Sequence, residues 1–221
     1  MLAGTPRHPV CLALAKSPGA SEVLPAELCR RLIHGVSERL QAGAPDHRRQ
    51  LQSQCLETAG VIGLACGRAF DPQQPAAAEA LQQLAAALEQ LRLLRFPSLA
   101  GLPLHYTLPA EELTRFRIPP ADFKAGADSP QLRALKQYLL ACTRQAIAEA
   151  RQLIQPGASA GFAEARARMA LAECDHARAW LRSGINPGQV PSISPLRKLW
   201  IAWNSAKIRY PHQQRPRNAH D

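Results

Sequence analysis

The stretch from Leu81 to Pro109, LQQLAAALEQLRLLRFPSLAGLPLHYTLP, constrains the chain more than any other. Leu81, Leu84, Leu88, Leu91 and Leu94 recur three or four apart, so they share one face of a helix and need an apolar surface to cover them. Pro97, Gly101 and Pro103 end that helix and turn the chain toward Tyr106 and Pro109. On pattern alone this is a core helix followed by a loop.

The partners for that face are other helices. Residues 1–24 carry Pro6, Pro9, Pro18 and Gly19 and predict an irregular start with at most a short helix in HPVCLALAK. From Pro25 to Gly43 the chain predicts a helix with Leu28, Leu32, Ile33, Val36 and Leu40 on its inner face. Asp46 is the expected N-cap of the next helix, which runs to Phe70. Gly60 and Gly63, within one turn of that helix, each cost roughly 1 kcal/mol relative to alanine. Such a cost points to close approach of another helix or of a ligand. Ser129 and Pro130 open a long helix whose stripe runs from Leu132 to Leu153, and a further helix occupies 159–184. Ser194-Pro195 starts the last one, with Leu196, Leu199, Trp200 and Trp203 expected to face inward. No strand pattern, fixed-period repeat or low-complexity segment interrupts the series. The expectation is one all-α domain over residues 1–221, with a basic tail at 210–221.

Composition agrees. Hydrophobic residues make up 46% and charged residues 20%, a globular balance, and the 5% of aromatics means packing through aliphatic side chains. No run approaches the ~18 apolar residues of a membrane span, and Cys11–Ala15 is too short for a signal peptide. The expected place is the cytoplasm, with a peripheral position at the inner face of a membrane left open by the charge. The six cysteines form no CxxC pair and the histidines no HxxxH or HExxH, so no metal site is expected. The net charge of +10 would draw anionic lipid, diphosphates or an acidic protein. Nucleic acid is not among the expected partners, because no reader motif is present and few aromatics are available to stack on bases.

Several of these segments resemble the squalene/phytoene synthase family, the head-to-head prenyl transferases. In that family an apolar helix ends in Asn-Ile-Leu-Arg-Asp, a second Asp lies four residues on, and Arg-Ile-Tyr-Leu-Pro follows. Laid over this chain without a gap, the family's Leu-Arg falls on Leu94-Arg95 and its Leu-Pro on Leu108-Pro109. Thr58–Leu64 is similar to the Val-Ala-Gly-Thr-Val-Gly helix of the family, and Leu108–Phe116 to its Leu-Pro-x-Glu-Glu-Leu-x-Arg-Phe. Leu196–Leu199 is similar to a terminal Leu-x-Lys-Leu, so the resemblance runs from about His8 to Trp203. It implies a helical bundle like the C-terminal part of the isoprenoid-synthase fold. By the same resemblance Gly60, Gly63, Leu88 and Leu91 would line a prenyl cavity or an interface.

The chemistry does not follow the frame. The family's two metal-binding aspartates fall on Phe96 and Ala100, another aspartate on His34, and a later acid on Arg39. Ionising an allylic diphosphate calls for Mg²⁺ held by oxygen ligands, and carboxylates four apart on a helix supply them side by side. Among the 17 acidic residues of this chain no two stand three or four apart. No catalytic residue and no cofactor is therefore expected, although the family implies Mg²⁺. Arg92, Arg95 and His105 surround the altered segment, either as solvated residues or as a remnant diphosphate or other anion site.

The functional expectation is a catalytically degenerate relative acting as a binding or assembly protein, for which the family offers precedent. The alternatives are a prenyl transferase completed by a partner chain that brings the missing aspartates, and an isoprenoid-lipid-binding protein. The family's N-terminal helices have no counterpart ahead of His8. The expected consequence is an open side on the Gly60–Leu64 and Leu81–Leu94 segments that takes a second copy or another protein.

Overall fold

The computed structural model describes residues 8–16, 19, 24–95, 108–119, 129–154, 159–183 and 192–208. Its regular structure is helical throughout, and among the described residues there is no strand. In chain order the helices are α1 (Pro9–Lys16), α2 (Ala26–Ala42), α3 (Arg48–Cys55) and α4 (Val61–Phe70). They continue with α5 (Pro75–Arg95), α6 (Ala110–Arg115), α7 (Pro130–Gln152), α8 (Ala160–Arg182) and α9 (Pro195–Ile208). A π-helical turn, Leu56–Gly60, joins α3 to α4 without a break.

The bundle is built round α5, which packs against α3, the π turn, α4, α7 and α8. Leu81, Leu84, Ala87 and Leu91 meet Leu140 and Ile147 of α7 and Ala163, Ala167, Ala170 and Cys174 of α8. Ala78 packs with Leu28, Val61 and Leu64, while Ala86 and Leu93 pack with Leu51 and Cys55. Buried apolar residues thus point from α5 on several sides, toward α3, α4, α7 and α8, which places this helix at the centre. The alanines of α8 let α7 approach closely on its other side.

Close approach also joins α4 to α5. A Cβ on Gly63 would meet the Leu81 carbonyl and lie 2.6 Å from the Ala85 Cβ, and one on Gly67 would lie 2.9 Å from the Ala78 Cβ. Only hydrogen fits at both places. Gly35 does the same for α2 against the backbone of Glu57, with the Arg31 guanidinium on the Glu57 carboxylate beside it. Downstream, Ser129 caps α7, its hydroxyl accepting the Leu132 N–H at 3.1 Å.

Three sequence expectations give way to the structure. The N-cap of α3 is His47 rather than Asp46: the His47 Nδ1 accepts the Gln50 N–H, and the Gln50 side chain in return accepts the Asp46 N–H. On α2, Ile33, Val36 and Leu40 are exposed, whereas Leu28, Gly35 and Arg39 are buried. The helix sits on its glycine because that is where the neighbouring backbone can come near. On α9, Leu196, Leu199, Trp200 and Trp203 point outward, and Ile201 and Ser205 form the buried side.

Candidate functional site

A groove of about 460 Å³ opens between α4, α5 and α8, within the size range of small-molecule sites. Gly63, Leu81, Leu84, Leu88 and Leu91 form its apolar floor and walls, and Ile62 and Phe162 stand at its exposed rim. Four charged side chains reach it: Glu89 and Arg92 from α5, Arg166 and Glu173 from α8.

The positions of these helices trace to short local signals. Gly63 and Gly67 bring α4 down onto α5, so the floor between them is narrow. At the far end of α4 the Asp71 carboxylate accepts both the N–H and the hydroxyl of Ser159, at 2.8 and 2.7 Å. Ser159 is the N-cap position of α8, so one carboxylate ties the end of α4 to the start of α8. It also holds the Phe70 and Phe162 rings 5.6 Å apart beside the mouth.

Glu89 is the electrostatic centre. It receives a bidentate pair from Arg92, Nε at 2.6 Å and Nη2 at 2.7 Å, and a third hydrogen bond from Arg39 Nη1 at 3.1 Å. Burial pushes its carboxyl up, but the hydrogen bonds and charges of the two arginines more than offset this and hold it below the ordinary carboxylate range. Arg39 is buried with its Nε and Nη2 unpartnered, so its charge is committed to Glu89. Behind this group lies Cys55, a fully buried thiol that burial pushes up to about 12, which makes it inert as a nucleophile. Glu173 likewise has basic company, with Lys198 Nζ at 3.1 Å and the Ser192 hydroxyl donating to it.

The structure therefore sorts the residues read from sequence. Gly63, Leu88, Leu91 and Arg92 line one groove. Gly60 faces Gln82 of α5 instead. Arg95 is the last residue of α5, and Phe96, Ala100 and His105 lie outside the described residues, as does the 210–221 tail. His34 is exposed on α2. Spacing along one helix missed Glu89, because its partner Arg39 is 50 residues away. The available signal was the arginine standing where the resemblance puts an acid: a basic residue turned inward needs a carboxylate opposite.

These donors do not fit Mg²⁺. The ion takes several oxygen ligands in octahedral array, while the two carboxylates of the groove already bind cations of the chain. Among the described residues no three His, Cys, Asp or Glu side chains gather into a metal-ligating group.

No curated protein matches the chain in sequence. The profile of the squalene/phytoene synthase family, however, matches residues 3–186, most of the chain. With an all-α bundle whose central helix and two flanking helices enclose an apolar groove, the chain belongs to the squalene/phytoene synthase family.

Proposed function

We propose that this protein is a catalytically degenerate member of its family, working as a non-enzymatic binding or assembly protein through the groove between α4, α5 and α8. One observation carries the reading: Glu89, the half-buried carboxylate of the groove, is held by Arg39 and Arg92. A carboxylate neutralised in this way has little left to offer a divalent ion, and protein cations cannot replace the metal in drawing off a diphosphate. The substitution of the second aspartate motif by Phe96 and Ala100 supports the same reading.

The test is pyrophosphate release by the purified protein with Mg²⁺ and farnesyl or geranylgeranyl diphosphate. The expected result is none above a boiled blank. Turnover proportional to protein concentration would overturn the proposal.

A second reading has its own support. The leucine-walled groove, with Arg92 and Arg166 at its edge, suits an isoprenoid chain with an anionic head, held without chemistry. Retention of farnesyl diphosphate by the protein, lost in Leu88→Trp, which fills the groove, is the outcome expected of such a carrier.

A further inference from the structure

Helix α9 is attached by one side and apolar on the other. Toward α8 it turns Ile201, 7% exposed, and Ser205, fully buried, with Lys198 reaching Glu173 at 3.1 Å. On the opposite side Leu196, Leu199, Trp200 and Trp203 are 78%, 66%, 66% and 64% exposed. Their spacing of three, four and seven places them in one continuous stripe along the helix. Large apolar stripes are rarely left in water on a soluble protein without a surface that takes them.

The charge round the stripe decides between covers. Arg197 is exposed at its flank, and α9 has no acidic residue. The sequence beyond it adds Arg209, Arg215 and Arg217 against Asp221 alone. A second copy, itself of net charge +10, would bring a like basic flank to the contact and repel. An anionic bilayer offers the opposite charge and an apolar layer beneath it. Tryptophan rings favour that boundary, and a helix with basic flanks and an aromatic-aliphatic face lies in its plane.

We propose that α9 is a docking helix for an anionic lipid surface. Leu196, Leu199, Trp200 and Trp203 enter the acyl boundary, and Arg197 remains among the headgroups. The packing of α9 on α8 joins the bundle to that surface. This role is independent of whether the groove performs chemistry.

Because all four residues are exposed, substitutions there leave the core intact, and thermal unfolding verifies it. The experiment is co-sedimentation of the full chain with vesicles of phosphatidylglycerol and phosphatidylcholine in equal parts, and with phosphatidylcholine alone. Binding is expected to the mixed vesicles, to weaken as salt is raised, and to fall on the order of tenfold or more in Trp200→Ser/Trp203→Ser. In a Trp180→Phe background the emission of Trp200 and Trp203 should shift to the blue on binding. Ile33→Ser, which removes an exposed apolar residue of α2 away from the groove, should leave partitioning unchanged. No binding to mixed vesicles, equal binding to neutral ones, or equal loss in Ile33→Ser would each overturn the proposal. A dimer in sedimentation that Trp200→Ser/Trp203→Ser dissolves would overturn it in favour of a second copy.

Discussion

Replacing Gly63 or Gly67 by alanine tests the contact that shapes the groove. An added Cβ on Gly63 would lie 2.6 Å from the Ala85 Cβ and 2.9 Å from the Leu81 carbonyl carbon. On Gly67 it would lie 2.9 Å from the Ala78 Cβ and 3.1 Å from the Ala78 nitrogen. Non-bonded carbons rest at about 3.5–4.0 Å, so α4 and α5 would have to part by roughly 1 Å. The obstructing atoms belong to the backbone and Cβ positions of α5, which is held from behind by α7 and α8 and cannot retreat. Overpacking of this kind costs about 1–3 kcal/mol, and backbone contacts put it near the top of that range. The gain in helix propensity, about 1 kcal/mol, works against it and leaves a net loss of about 2 kcal/mol for either variant. In a chain of this size that is a fall in Tm of roughly 4–8 °C. Gly161→Ala is the internal control: nothing lies within 4 Å of an added Cβ there. It should gain about 0.4–1 kcal/mol and raise Tm by a few degrees. The assay is thermal unfolding followed by far-UV circular dichroism, with the three variants side by side. If Gly63→Ala and Gly67→Ala rise together with Gly161→Ala, the close approach of α4 to α5 is refuted, and the width assigned to the groove with it.

Two further outcomes follow from buried carboxylates. Glu164 is 3% exposed and accepts Arg151 at 2.6 Å and Arg168 at 2.8 Å, so Glu164→Gln should cost on the order of 1–3 kcal/mol at neutral pH. Burial pushes the Glu164 carboxyl up, but the two arginines outweigh it and the folded value is depressed. Its contribution is therefore complete above the unfolded value of about 4.3 and is lost as pH falls through the folded one, so the variant's deficit should shrink in acid urea titrations. Glu112 runs the other way. Burial holds its carboxyl above the ordinary range, its Oε2 has no hydrogen-bond partner, and wild-type stability falls as pH rises from the unfolded value through the folded one. Glu112→Gln should consequently raise Tm at neutral pH and have progressively less effect below about pH 4; a stabilisation that grows in acid would contradict the assignment.

Local sequence determined a good deal of this protein. The leucines of α5, the serine and proline that open α7, and the paired glycines of the Thr58–Leu64 segment act over one or two helical turns. Helix formation and capping depend on those near neighbours. That no two acidic residues stand three or four apart was equally legible, since adjacent ligation on a helix is itself a spacing rule. Other features were settled only by the assembled bundle. Periodicity establishes that α2 and α9 have apolar stripes, but it carries no information about which side a neighbour will grip. In α2 the neighbour takes Gly35 and Arg39, and in α9 it takes Ile201 and Ser205, leaving Ile33, Leu40, Trp200 and Trp203 in the open. The Arg39–Glu89 pair spans 50 residues, and the Asp71 link to Ser159 spans 88, so no local window contains either. Each exists because packing round α5 brings distant charges into a low-dielectric interior, where a polar group needs a partner wherever in the sequence that partner lies.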